Sequence, residues 1–137
     1  MKLIDTNILV FAWDENHPLY KRALELLASA IADEGAGVSA ITLAELSSFA
    51  GRSNVAAELL AMRVSLLDIP AAAGERCGQA YQTYLAARKL QSGKAAPRTP
   101  LPDFFIGAHA EVCGMELVTN DPARFRTYFP GVKLVLP

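Results

Sequence analysis

Apolar and polar residues alternate along this chain in blocks that predict five strands separated by helices. Short, mostly apolar runs typical of buried strands occupy residues 1–4, 38–41, 66–69, 116–119 and 132–136. Apolar residues at helical spacing predict helices over residues 8–13, 18–33, 42–50, 53–62, 71–90, 102–114 and 123–128. Strands separated by helices pair in parallel through right-handed crossovers. The pattern therefore predicts a three-layer α/β/α sandwich, with a central parallel sheet of about five strands, as a single domain over residues 1–137.

Several helix starts carry recognisable capping residues. Thr6 or Asn7 is a suitable N-cap for a first helix beginning at Ile8. Pro18 and Pro102 each suit the first position of a helix, where the missing N–H costs nothing. Residues 91–102 contain three prolines and a glycine, and we predict a loop there.

Composition limits the possible functions only weakly. The 137 residues are 52% hydrophobic, enough for a substantial core, and 13 basic residues nearly balance 14 acidic ones. Cys77 and Cys113 lack metal-ligand spacing, and we expect both to be reduced and buried. No signal peptide or apolar run of about 18 residues is visible, so we expect a cytoplasmic protein without membrane association.

Four acidic residues share one predicted location. Asp5 and Asp121 each follow a buried strand, while Glu45 and Asp103 fall in the predicted first turns of helices. Because the carboxyl ends of parallel strands meet at one edge of the sheet, all four should lie along that edge. Individually, an acid in a first turn is often only a partner of the helix dipole, and Asp121 before proline is often only a turn residue.

Four carboxylates at one edge would repel each other by roughly 3 kcal/mol for each close pair. We therefore expect a cation between them. Oxygen ligands without a histidine or cysteine cluster select Mg²⁺ or Mn²⁺ over Zn²⁺.

The same residues resemble the PIN domain, specifically the VapC ribonuclease toxins of toxin–antitoxin systems. The ordered set of motifs is more specific than any one motif, and the resemblance covers nearly the whole chain. The matching segments are residues 5–10, 39–46, 102–110 and 117–121, together with Phe125.

The resemblance implies a Mg²⁺-dependent endoribonuclease that hydrolyses RNA phosphodiester bonds and is inhibited by a cognate VapB-like antitoxin. Its acidic quartet maps onto Asp5, Glu45, Asp103 and Asp121, of which Asp121 occupies the most variable position. Thr119 matches the small hydroxyl residue of the family, and Asn7 matches a frequent asparagine. We expect Asp5 and Asp103 to be inner metal ligands, Glu45 and Asp121 to hold metal-bound water, and Thr119 and Asn7 to orient them. A homodimer is also expected.

Two other functions fit parts of the pattern. An Asp5-based, Mg²⁺-dependent phosphotransferase would also place an aspartate at a strand end, but one such class needs a second aspartate where Asn7 stands. A catalytically inert PIN-like module that binds a partner would retain the fold without binding metal.

Further residues could contact ligands. Lys94 and Arg98, aided by Lys89, could hold RNA phosphates near the metal, or could simply be solvated. Aromatic residues on or beside the first helices could anchor the antitoxin: Trp13, Tyr20 and Phe49. His17 and His109 are weaker site candidates, and His109 should point away from the acids because it lies about 240° around the helix from Asp103.

Overall fold

The computed structural model describes residues 1–49, 51–92 and 101–137. These residues build a five-stranded sheet in which every pairing is parallel, with the strand order β3-β2-β1-β4-β5. The strands are β1 (Lys2–Ile4), β2 (Ala36–Ser39), β3 (Val64–Leu67), β4 (Glu116–Val118) and β5 (Leu134–Val135). The predicted parallel sheet is confirmed.

Seven helices in the described residues cover the two faces of the sheet. They are α1 (Thr6–Ala12), α2 (Tyr20–Asp33), α3 (Ala40–Ser47), α4 (Val55–Ala61), α5 (Ala71–Ser92), α6 (Pro102–Val112) and α7 (Pro122–Tyr128). Helices α1, α2 and α4 contribute to one buried apolar cluster, and α5, α6 and α7 contribute to the other. The molecule is therefore the predicted three-layer α/β/α sandwich.

Some predicted boundaries were wrong. Strands β2 and β3 each begin two residues earlier than predicted, at Ala36 and Val64. Helix α1 begins at Thr6, with Asp5 as its N-cap, so neither Thr6 nor Asn7 caps it. Helix α2 begins at Tyr20, two residues after Pro18. Most of the predicted loop over residues 91–102 lies outside the described residues.

Two glycines are required by the packing. Gly35 adopts a φ of +90° directly after α2, a conformation that lets the chain turn sharply into β2. A Cβ atom at Gly107 of α6 would lie 2.3 Å from Cδ2 of Phe129, so only glycine allows this aromatic ring to pack against the helix. The contact between Gly107 and Phe129 fixes the position of α6, the helix that carries Asp103.

No helix in the part of the chain that the structure describes is long and apolar enough to cross a membrane.

Candidate active site

Asp5 lies at the carboxyl end of β1, where the chain turns directly into α1. Its side chain is only 4% exposed, and both carboxylate oxygens accept hydrogen bonds. Oδ1 accepts from the backbone N–H of Thr6 at 2.8 Å. Oδ2 accepts from the Thr119 hydroxyl at 2.6 Å and from the Asn7 side-chain amide at 3.3 Å. The carboxylate is therefore held in one orientation.

Thr119 and Asn7 connect the ends of β1 and β4. The Thr119 side chain is fully buried, and its Oγ1 accepts from the backbone N–H of Asp121 at 3.1 Å while it donates to Asp5. Asn7 lies inside α1, where its Oδ1 accepts from the backbone N–H of Asn120 at 3.2 Å. Both side chains hydrogen-bond to Asp5 and to the backbone after β4.

Glu45 reaches the same edge from α3. Because α3 begins at Ala40, Glu45 lies in the second helical turn, and its predicted place in the first turn was wrong. The Thr6 hydroxyl donates to Glu45 Oε1 at 2.7 Å and lies 3.1 Å from the Thr42 hydroxyl. Sequence reasoning missed Thr6 and Thr42 as site residues, since Thr6 was interpreted only as a possible helix cap.

Asp103 is paired with a cation from its own chain. As predicted, it lies in the first turn of α6 after Pro102. Arg124 Nη1 donates to Asp103 Oδ2 at 3.1 Å, and both side chains are 32% exposed. Sequence reasoning also missed Arg124, because its contact with Asp103 joins two helices 21 residues apart. Part of the positive charge expected among the acids is therefore supplied by the protein.

Asp121 is the most open of the four acids. It is exposed and occupies the N-cap position of α7, where its side chain makes no capping hydrogen bond. Its backbone N–H is the group held by Thr119.

The charges of neighbouring acids affect the pKa values of Asp5 and Asp103. The pKa of Asp5 is raised to about 6, mainly by burial. The charges of Asp103 and Glu45 raise it further, and the hydrogen bonds from Thr119 and Thr6 lower it. Burial also raises the pKa of Asp103, which Arg124 lowers and the charge of Asp121 raises. The acids therefore lie close enough to repel, which is the arrangement that a divalent cation relieves.

The acids approach one another at this edge, but their side chains do not form a complete metal-binding site. Among the residues that the structure describes, no group of three or more His, Cys, Asp and Glu side chains is already placed to hold a metal ion. The donor chemistry nevertheless fits a hard divalent cation, because the site offers carboxylate, hydroxyl and amide oxygens around the buried Asp5.

Other candidate residues lie elsewhere. His17 stacks on Phe11 at 4.0 Å, and its Nδ1 accepts from the backbone N–H of Leu19, so it stabilises the turn before α2. His109 is buried and lines a cavity that none of the four acids lines. Lys89 is exposed near the end of α5, while Lys94 and Arg98 lie outside the described residues.

The prediction that both cysteines are buried was right for Cys77 and wrong for Cys113. Both are free thiols, and Cys77 is buried as expected. Cys113 is exposed, because it follows the end of α6 and its side chain does not join the core.

Residues 2–129 match the PIN domain family. The chain belongs to that family. The match includes every strand and helix that contributes an acid to the site. The convergence of these elements at one edge of the sheet is therefore a feature of the PIN fold. No curated relative matches the sequence of this chain.

Chains from solved VapBC and FitAB complexes share this PIN fold. A chain of VapBC2 from Rickettsia felis, bound to a promoter DNA fragment, is 26% identical with a TM-score of 0.59, covering 99% of this chain and 98% of that chain. A chain of DNA-bound VapBC from Salmonella typhimurium is 25% identical with a TM-score of 0.62 and the same coverages. A chain of FitAB bound to the IR36 DNA fragment, at 22% identity and a TM-score of 0.67, shows the fold alone. Among solved structures, this PIN domain is therefore similar to chains of VapBC complexes.

Proposed function

We propose that this PIN domain is a metal-dependent endoribonuclease that hydrolyses RNA phosphodiester bonds and acts as a VapC-type toxin. The observation that supports this most strongly is the linked set of carboxylates at one sheet edge. Thr119 hydrogen-bonds to Asp5 and to the backbone of Asp121, and Thr6 hydrogen-bonds to Asp5 and to Glu45. The charge of Asp103 also raises the pKa of Asp5. PIN domains are in general nucleases, and VapBC chains are structural neighbours.

Asp5 and Asp103 would hold Mg²⁺ directly, and Glu45 and Asp121 would hold its bound water, with Mn²⁺ able to substitute. When bound, the ion supplies an activated water for in-line attack and stabilises charge on the phosphate and the leaving 3′ oxygen. Asp5 and Asp103 suit the inner role because each follows directly on a fixed backbone position, the end of β1 and the start of α6.

The remaining side chains keep these carboxylates in place. Thr119 and Asn7 hold Asp5 Oδ2, so the face of the carboxylate that is left for a cation is fixed. In the same way, the Thr6 hydroxyl orients Glu45 by donating to its Oε1. One of Glu45 and Asp121 would accept the proton of the attacking water, and the exposed Asp121 can pass it to solvent.

The sequence argues against the phosphotransferase alternative. One such class needs a second aspartate two residues after the nucleophile, and Asn7 stands there, with its side-chain amide donating to Asp5 Oδ2. A covalent adduct on Asp5 after incubation with a phosphate donor would support that alternative.

One observation favours the alternative of an inert binding module. Arg124 pairs with Asp103 and thereby partly neutralises the charge of the site. Calorimetric titration with Mg²⁺ separates this alternative from a nuclease, because an inert module should bind no metal.

The proposed partner is a VapB-like antitoxin, which would silence the enzyme in its host, and the toxin itself is proposed to be a homodimer. VapB accompanies VapC in the neighbouring complexes. Of the three aromatic residues predicted as anchors, Phe49 is the most open at 43% exposure. Tyr20 is half-buried, and Trp13 is half-buried beneath the Arg52 guanidinium, 4.0 Å from its ring centroid.

Incubation of the purified protein with total RNA, with and without Mg²⁺, followed by mapping of the new RNA ends, tests the proposed function. We expect discrete ends that appear only with the metal and vanish in Asp5→Asn. Asp33→Asn is the matched control, because Asp33 is an exposed aspartate at the end of α2. Cleavage that survives in Asp5→Asn would show that another nuclease, or another site, produced the ends.

A further inference from the structure

A second cavity opens beside the proposed catalytic acids. It has a volume of about 410 Å³ and lies between α5 and α7. Its lining residues are Tyr84, Asp121, Ala123, Arg124, Thr127 and Tyr128. This volume falls within the range of roughly 300–1,000 Å³ that is usual for small-ligand sites. Because Asp121 lines it and Arg124 also pairs with Asp103, the cavity adjoins the carboxylate edge.

Two tyrosines form an aromatic wall in this cavity. The rings of Tyr84 and Tyr128 meet edge to face, with centroids 5.9 Å apart. Both rings pack on the fully buried Phe104, at 5.2 Å and 5.3 Å. Both tyrosines are themselves half-buried, so part of each is accessible from solvent. The wall is therefore a supported aromatic surface of the kind on which nucleic-acid bases stack.

Positive charge lies at the same place. The Arg124 guanidinium is 5.5 Å from the ring centroids of both Tyr84 and Phe104. Of its five N–H donors, the described contacts use one, for Asp103. Arg88 Nη1 donates to the Tyr84 hydroxyl at 2.9 Å, which brings a second guanidinium to this ring.

We propose that this cavity is a nucleotide subsite for single-stranded RNA. The base of a nucleotide beside the scissile phosphate stacks on the wall formed by Tyr84 and Tyr128, and its phosphate binds Arg124. Aromatic stacking together with an arginine is the recognition chemistry that unpaired nucleotides need. This inference rests on the proposed ribonuclease function and adds to it the position of the flanking nucleotide.

The tyrosines provide the cleaner test, because Arg124 also neutralises Asp103. Binding of a short, labelled single-stranded RNA is measured by fluorescence anisotropy in EDTA, so that no cleavage occurs. Tyr84→Leu and Tyr128→Leu remove the aromatic faces but retain apolar bulk. We expect affinity to fall roughly 5- to 150-fold in these variants, the usual range for losing one base–aromatic stack. Tyr84→Phe should bind almost as well as the wild type, because the ring remains.

Phe11→Leu is the matched control, since Phe11 is a half-buried aromatic residue of α1 that packs against the opposite apolar cluster. The salt dependence of binding gives an independent readout for Arg124. Loss of one phosphate contact in Arg124→Gln should reduce the log–log salt slope by about 0.7. Arg22→Gln should leave the slope unchanged, because Arg22 is exposed on α2 and pairs with Glu25.

Photocrosslinking of thiouridine-substituted RNA to the wild-type protein avoids any dependence on the folding of the variants. Adducts on Tyr84 or within residues 123–128 support the subsite, and adducts confined to other segments overturn it. If the wild type binds and cleaves RNA while folded leucine variants bind equally well, the subsite is wrong and the nuclease proposal stands. If the wild type neither binds nor cleaves RNA, the proposed function fails together with the subsite.

Discussion

At the scale of single residues, the chemistry centres on Asp5, which the fold buries and then surrounds with donors. Its place at a strand end was predictable, because an acid directly after an apolar run marks the carboxyl edge of a parallel sheet. The family resemblance implied that Thr119 and Asn7 orient the acids, but the alternation of apolar and polar residues did not predict their hydrogen bonds to Asp5. The pair formed by Thr6 and Glu45 was not predictable, because it joins residues 39 positions apart through the packing of α1 on α3.

The raised pKa of Asp5 makes the stability of the metal-free protein depend on pH. An aspartate whose pKa increases from 3.8 to about 6 on folding binds a proton more tightly in the folded state. Stability should therefore fall as pH rises from about 4 through 6, by at most about 3 kcal/mol from this group. Chemical denaturation across this range, in EDTA, measures the effect.

Asp5→Asn should remove this pH-dependent loss, because asparagine carries no charge. Comparison with the wild type isolates the group, since His109 contributes in the opposite direction. Burial lowers the pKa of His109, so its contribution to stability increases as pH rises. Parallel pH profiles for wild type and Asp5→Asn would show that Asp5 does not titrate in this window.

Thr119→Val should weaken metal binding while it preserves the shape of the side chain. The change removes the hydroxyl that donates to Asp5 and accepts from the Asp121 backbone. Loss of a group that orients a metal ligand typically costs about 10- to 100-fold in affinity or activity. The measurement is the Mg²⁺ concentration at half-maximal cleavage. Thr119→Ser should restore it, and failure of serine to do so would point to a packing defect.

At the scale of elements, the helices were easier to locate than the strands. The predictions for β2 and β3 were each two residues too late, because the apolar runs continue past the strand ends. Ser39 ends β2 and its side chain caps α3 by accepting from the Ile41 N–H, so Ala40 and Ile41 already belong to the helix. Gly37 lies outside the predicted strand, which begins at residue 38, but is a buried residue of β2 beneath Leu67 and Met1. The side chains that crowd Gly37 belong to residues distant in sequence, so the local pattern could not indicate them.

The junction between α6 and the segment after α7 provides a test of packing. Gly107→Ala would place a methyl group against the Phe129 ring, so we expect a loss of roughly 1–3 kcal/mol in unfolding free energy. Gly78→Ala is the matched control, because Gly78 is also helical and a methyl group added there would meet nothing within 4 Å. That change should stabilise the protein by up to about 1 kcal/mol. Equal effects of the two changes would contradict the close approach.

At the scale of the whole molecule, the alternation of strands and helices was sufficient to predict the layers and the parallel sheet. It also predicted that four acids separated by up to 116 positions would meet at one edge. The alternation could not reveal that Arg124 would reach Asp103, because that contact depends on how α7 packs against α6. A cation from the chain itself at this edge changes how a partner could silence the enzyme.

The last prediction concerns that partner. We expect a heteromeric complex with a VapB-like antitoxin, probed by purifying the chain together with the product of the neighbouring gene. An arginine from the antitoxin tail would pair with carboxylates of the cleft, repeating the pairing that Arg124 already makes with Asp103. Because guanidinium and Mg²⁺ would then compete for the same acids, inhibition should weaken as Mg²⁺ rises.

Cleavage measured across a Mg²⁺ series, before and after each tail arginine is changed to alanine, decides the mechanism of inhibition. Competition predicts that one arginine variant inhibits less at every Mg²⁺ concentration, and that wild-type inhibition falls as the metal concentration increases. Asp121 is the most open carboxylate, so Asp121→Asn in the toxin should weaken the complex more than the surface control Asp33→Asn. Complete inhibition at all Mg²⁺ concentrations, with no arginine variant having an effect, would instead mean that the antitoxin blocks the substrate path by covering it.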